Sequence, residues 1–253
     1  MKLLSSFGVC VISLAFAGQI LAYNIDHGSF ASDASIKRIP LAKMRIVDKG
    51  DNNATTALAK FAVTNDPGTQ IVVHIGNDGA YVELLIGNKP VFQKSRFTDF
   101  NFQAGIEAYC ADLNQAGKRD FAVYASSGGC GLASGYTDIA FLLSEQNTYR
   151  LTTVQTLWPN PDNYLVLSGK PCFIHTAFEN VEKCNDGKEH NFWIYNILVI
   201  ETGNMRLDNN LAPEFPKTIW FTHKPNHQET TIITVKQKAE FIRAAQKDIF
   251  RHK

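Results

Sequence analysis

Short apolar or alternating segments recur along most of the chain. They fall at Leu41–Val47, Ala57–Val63, Gln70–His74, Tyr81–Ile86, Gly105–Cys110, Phe121–Tyr124, Thr137–Leu143, Tyr149–Thr153, Tyr164–Leu167, Cys172–Ala177, Phe192–Ile200 and Thr218–Thr222. Val, Ile, Tyr, Phe and Thr dominate them, and such side chains suit a pleated, half-buried surface. Turn chemistry separates them: Asn77-Asp78-Gly79, Gly87-Asn88-Lys89-Pro90, Pro159-Asn160-Pro161-Asp162, Asn185-Asp186-Gly187 and Gly203-Asn204. The glycines supply the positive φ angles of tight hairpins. The pattern predicts a mainly β protein: an antiparallel sandwich, a barrel or a propeller-like stack. No repeat period is visible, so a complete propeller is not implied.

The pattern changes at both ends. Thr234 and Gln237 have the spacing of a capping box. Val235, Ala239, Ile242, Ala245 and Ile249 then recur at helical spacing, which predicts one amphipathic C-terminal helix over 234–253 of about four or five turns. Its basic side chains, Lys236, Lys238, Arg243, Lys247 and Arg251, read as the solvated face of a docked helix. Residues 23–40 are mixed and polar and read as an extended lead-in to a β-rich domain over 41–233. Before them, Met1-Lys2 precedes the apolar run Leu3–Leu14 and the small residues Ala15-Phe16-Ala17. This is the pattern of a secretory signal over 1–22, with cleavage after Ala17 or Ala22. The expected location is the periplasm or the cell exterior, with no transmembrane segment.

Charge narrows the partners. With 25 basic and 24 acidic side chains the formal net charge is +1, so no overall field favours nucleic acid or an anionic membrane. Four cysteines follow the signal: Cys110, Cys130, Cys172 and Cys184. An even number in an exported chain implies two disulfides. Of the three possible pairings, the sequence-local one joins Cys110 to Cys130 and Cys172 to Cys184. Cys130 lies in the small-residue run Ser126-Ser127-Gly128-Gly129-Cys130-Gly131, which lacks the spacing of a hydrolase elbow.

One loop carries recognisable chemistry. Ala111-Asp112-Leu113-Asn114-Gln115-Ala116-Gly117-Lys118-Arg119-Asp120-Phe121 places acids and amides at alternate positions, with a glycine at the turn and an acid at the exit. Over about ten residues it resembles the D-x-N-x-D-G-x-x-D loops of FG-GAP and VCBS-type repeats, with Ala116 where those repeats carry aspartate. The resemblance implies an extracellular β-rich protein and a possible calcium site made by Asp112, Asn114 and Asp120. The alternative is a metal-free loop in which Asp112 and Asn114 bond backbone amides as Asx-turns.

The remaining candidates are histidines and aromatics. His223 and His227 stand in H-x-x-x-H spacing, but Pro225 between them disfavours the helix that zinc binding would need. His175 and His190 join them only if the fold brings all four together. In Glu189–Asn196, strand alternation puts Phe192, Ile194 and Asn196 on one face and Trp193 and Tyr195 on the other. That second face is either sheet core or an aromatic ladder for a sugar or peptide. No P-loop, dinucleotide-binding glycine pattern or H-E-x-x-H motif is present. The leading expectation is a disulfide-stabilised, non-catalytic module binding a protein or glycan at the cell envelope. The alternatives are a metal-dependent secreted hydrolase using clustered histidines and a structural subunit of an envelope assembly.

Overall fold

The computed structural model describes residues 36–49, 57–99, 105–127, 135–181, 183–212, 215–220, 233–247 and 249–251. In chain order its elements are β1 (Lys37–Arg38), β2 (Ala42–Lys43), β3 (Arg45–Lys49), β4 (Ala57–Val63), β5 (Asp66–Gly76), β6 (Gly79–Ile86), β7 (Lys89–Thr98), β8 (Ile106–Ala111), β9 (Asp120–Ser126), β10 (Tyr136–Glu145) and β11 (Thr148–Leu157). Then follow β12 (Tyr164–Leu167), β13 (Lys170–Val181), β14 (His190–Glu201), β15 (Asn204–Leu207), β16 (Lys217–Trp220), the helix α1 (Val235–Lys247) and β17 (Phe250–Arg251). The strands form three open antiparallel sheets: β3-β4-β5-β6-β7, β17-β11-β10-β9-β8-β2, and β1-β12-β13-β14-β15 with β16 also on β14. The protein is therefore a mainly β sandwich with one C-terminal helix, and its sheets do not close into barrels.

The second sheet is the middle layer. Ala108, Cys110, Phe121, Val123, Ala125, Ala140 and Leu142 pack against Phe61, Ile71, Val73, Val82, Leu84 and Phe97 of the first sheet. The intervening Tyr109, Ala122, Tyr124, Ile139, Phe141 and Leu143 pack against Tyr164, Phe173, Leu198, Ile200 and Met205 of the third. Because successive side chains point to opposite faces, a strand covered on both sides must be apolar at every position. Phe121–Ala125 and Ile139–Leu143 meet that condition without a break.

The third sheet also has two covered faces, but one of them is shared. Leu198 and Ile200 of β14 face the middle sheet. Phe192 and Ile194, on the same side, face Phe241 and Ala245 of α1, with the Phe192 and Phe241 rings stacked at 5.2 Å and 18°. Between these pairs lies Asn196, fully buried, opposite His175 on β13. On the reverse face Trp193 and Tyr195 pack with Leu165, Ile174, Ile197 and Phe215. Both are 5% exposed, which agrees with the sheet-core alternative and not with an aromatic ladder open to a sugar or peptide. β14 has β13 on one side and β15 and β16 on the other, so both of its hydrogen-bonding edges are paired.

Several boundaries differ from the sequence expectation. The segment Leu41–Val47 is split, because the chain passes from the middle sheet to the first at Met44, which is buried and donates its N–H to the Ala108 carbonyl at 2.8 Å. β7 was not expected: its mixed polarity and Pro90 suit an edge strand with several register shifts. Part of the polar lead-in belongs to the fold, since β1 pairs with β12 and Ile39 is buried. The capping box at α1 forms, with Gln237 N–H donating to Thr234 Oγ1 at 3.1 Å and Thr234 N–H to Gln237 Oε1 at 2.9 Å. The helix is shorter than expected and its apolar face is rotated. Phe241 and Ala245 are its buried residues and Val235 is 88% exposed. Ile249 lies past its end in the core, before β17 joins β11.

Sheet edges are short or guarded. β2 and β17 have two residues each, while β3 carries a bulge between Ile46 and Asp48 and three charged side chains. Such edges resist pairing with other chains.

At Gly79 the backbone has φ 135°, and a Cβ would lie 2.1 Å from the Thr98 carbonyl oxygen. At Gly117, φ is 77° with open space around the Cβ position. Gly117→Ala should therefore cost only the left-handed strain of about 1–2 kcal/mol. Gly79→Ala should cost clearly more, because β7 must move, and urea midpoints of the two variants should separate accordingly.

Candidate functional site

The loop over 111–120 joins β8 to β9 and is organised by a buried carboxylate. Asp120 has no exposed surface. Its Oδ2 accepts from the N–H of Leu113 at 2.8 Å and of Asn114 at 3.0 Å. Its Oδ1 accepts from the N–H of Ser144 at 2.7 Å and from Asn114 Nδ2 at 3.4 Å. Asn114 turns the chain through an Asx-turn, its Oδ1 accepting from Ala116 N–H at 3.0 Å. Asp112 Oδ2 accepts from Gly117 N–H, also at 3.0 Å. Gln115 and Gly117 take positive φ values of 57° and 77°. Burial pushes the Asp120 carboxyl above its usual range, outweighing the downward pull of the bonds from Ser144, Asn114 and Leu113.

Neighbouring turns strap this loop down. Asn114 Nδ2 donates to the Ser144 carbonyl and hydroxyl, each at 3.2 Å. Lys118 donates to the Gln146 carbonyl in the β10–β11 turn. Arg119 Nη1 lies 2.9 Å from Asp66 Oδ2, which also accepts from the Thr69 hydroxyl at 2.6 Å. The Thr69 bond first, and then Arg119, hold the Asp66 carboxyl below its ordinary range. Tyr149 OH donates to the Arg119 carbonyl at 3.1 Å. The result is an exposed stretch, Gln115–Arg119, anchored at both ends and tied to two other turns.

The acidic and amide oxygens of the loop are engaged by N–H donors of the chain itself. Each Asp120 oxygen already receives two N–H donors, which occupies the lone pairs a cation would need. Asp112 and Asn114 engage backbone amides, as the Asx-turn reading expects.

The remaining sequence candidates are dispersed. Cys110 and Cys172 carry free thiols, so neither expected disulfide is formed. Cys172 and Cys184 lie toward opposite ends of β13, and the strand advances about 30 Å between Cys172 and Val181. A disulfide needs Cα atoms within about 7 Å. Burial pushes the Cys172 thiol up to about 11. Cys130 lies outside the described residues, as do His223 and His227. His190 bonds Asp186 at 2.8 Å beyond the end of β13, whereas His175 is buried between the sheets, with Nε2 2.9 Å from the Gln155 carbonyl. Among the described residues no three His, Cys, Asp or Glu side chains gather in a way that could hold a metal ion. No described helix is long and apolar enough to cross a membrane.

Compared with protein-family models, curated protein sequences and solved structures, the chain gives no match. Sequence reasoning missed Ser144 and Asp66 as parts of the site, and the ion pair by which Arg119 reaches Asp66. Their roles depend on which hairpin turns share one end of the sandwich, and no local signal carries that.

Asp120→Asn tests the organisation of the loop. Whichever way the amide is placed, its NH₂ meets two N–H donors that have lost their acceptor. The cost should be about 2 kcal/mol or more, read as a lower urea midpoint.

Proposed function

We propose that the protein is an exported, non-catalytic binding module that presents the 115–119 stretch to a protein or glycan partner at the cell envelope. The observation that carries this reading is the anchoring of an exposed loop on a buried carboxylate and two neighbouring turns. A loop fixed in one conformation loses little entropy on binding, and rigid scaffolds commonly carry recognition on such loops. The signal-like N-terminus supports export, and the balanced charge favours neither nucleic acid nor membrane. The loop serves here as a hydrogen-bonded element, with calcium unnecessary to its shape.

Two measurements test this. Ala116→Glu alters only an exposed position. It should lower binding to a glycan array, or crosslinking to intact envelopes, at least tenfold while leaving the melting temperature unchanged. Undiminished binding would remove the loop from the site, and stoichiometric zinc with chelator-sensitive hydrolysis would replace the module with an enzyme. Separately, the wild-type melting temperature should be the same in millimolar calcium and in chelator. A rise of about 4 °C or more in calcium, abolished by Asp112→Ala, would instead make the loop a calcium site.

A further inference from the structure

Several hairpin turns meet at one end of the sandwich. Arg119 and Lys118 tie the β8–β9 loop to Asp66, beside the β4–β5 turn, and to the Gln146 carbonyl in the β10–β11 turn. In the β6–β7 turn, Gly87 N–H donates to the Gly68 carbonyl of β5 at 2.8 Å. These four turns carry exposed amide side chains: Asn65, Asn88, Gln115, Gln146 and Asn147. Among the described residues none of these five side chains makes a hydrogen bond.

The backbone makes two of them unexpected. Asn88, Gln115 and Gln146 have φ values of 62°, 57° and 50°. Asparagine visits this left-handed region readily, and glycine enters it without steric cost, whereas glutamine has no local reason to be there. Two turns therefore carry an amide that their geometry disfavours and that no described neighbour uses. Strain kept at an exposed turn points outward, to what the side chain meets in solution.

The charges around the tips are largely engaged. Arg119 pairs with Asp66, Arg150 with Glu145 and Arg206 with Glu201. Lys118 and Asp112 hold backbone groups, which leaves Lys89 beside Asn88 as an exposed cation. Apolar anchors are scarce as well: of the exposed large apolar residues, only Ile86 directly adjoins one of these turns in the chain. A protein interface draws its affinity from buried aromatic, apolar or arginine anchors. A primary amide instead offers one acceptor and two donors in a plane, which matches neighbouring hydroxyl groups that both donate and accept.

We propose that these turn amides form a binding site for an uncharged glycan, with Gln115 and Gln146 contributing directly to it. This deepens the reading of the 115–119 stretch as the binding surface and rests on it.

Pull-down of the full-length protein with native cell envelopes tests the ligand class without a purified ligand. Binding should survive protease treatment of the envelopes and about 0.5 M salt, which screens charge–charge attraction. It should fall roughly tenfold or more when the envelopes are first oxidised with periodate, which cleaves vicinal diols. Joint replacement Gln115→Gly and Gln146→Gly should weaken binding by a similar factor while the urea midpoint holds or rises, since glycine relieves the left-handed backbone. A merely structural role for the two glutamines would leave binding unchanged, and that result would overturn the proposal. Binding destroyed by protease but kept after periodate would make the partner a protein, and binding abolished by salt would make it a charged polymer. If Ala116→Glu still removes such binding, the loop stands and only the sugar assignment falls. Binding indifferent to Ala116→Glu, or none at all, would end both.

Discussion

Burial of the middle sheet on both faces is the condition from which the other features follow. Phe121–Ala125 and Ile139–Leu143 can supply apolar side chains to both neighbours only by giving up polar positions altogether. Several polar groups that enter the interfaces are tied across them. Asp138 accepts from Thr98 of the first sheet and from Gln155 of its own. Thr156 accepts from Thr176 N–H and donates to the Thr176 carbonyl, joining the middle sheet to the third. Buried polar groups are costly when unpaired, so these bonds fix how the layers sit on one another rather than adding much net stability.

The same condition sends exposed polar side chains to the ends of the strands. With the broad faces covered and the edges short, charged or bulged, turns are the places where polar side chains meet solvent without disturbing the core. The β8–β9 loop is built around one such set of polar contacts. Its acid at the exit is used inward, as the post on which the loop hangs, and the outward residues are Gln115, Ala116 and Gly117.

Local order was legible in the sequence to different depths. β4 and β12 begin and end where the apolar pattern does, and the Thr234–Gln237 box marks the start of α1. These features are set by neighbours in the chain. β7 was hidden because Pro90 and the basic Lys89, Lys94 and Arg96 break up the spacing of its apolar residues Val91, Phe92 and Phe97. Trp193 and Tyr195 gave the right alternation, but whether their face meets water depends on what lies over it. The cysteine pairing failed for a related reason: closeness in sequence is closeness in space across a turn, and becomes separation along a twelve-residue strand. At the loop, the Asx-turn at Asn114 was readable and the Ser144 contact was not, since it belongs to a hairpin thirty residues away.

Asp120 and His175 are both buried and titratable, yet acid acts on them in opposite directions. Burial disfavours the charged form of each. For Asp120 that form is the carboxylate, so its raised value makes its contribution complete below the ordinary 3.8 and diminishing as pH rises through the folded value. For His175 that form is the imidazolium, so its contribution is complete above 6.5 and is lost on acidification. The two regions are also separate in the fold: the loop is tied to the turns of the first two sheets, and the helix rests on β13 and β14.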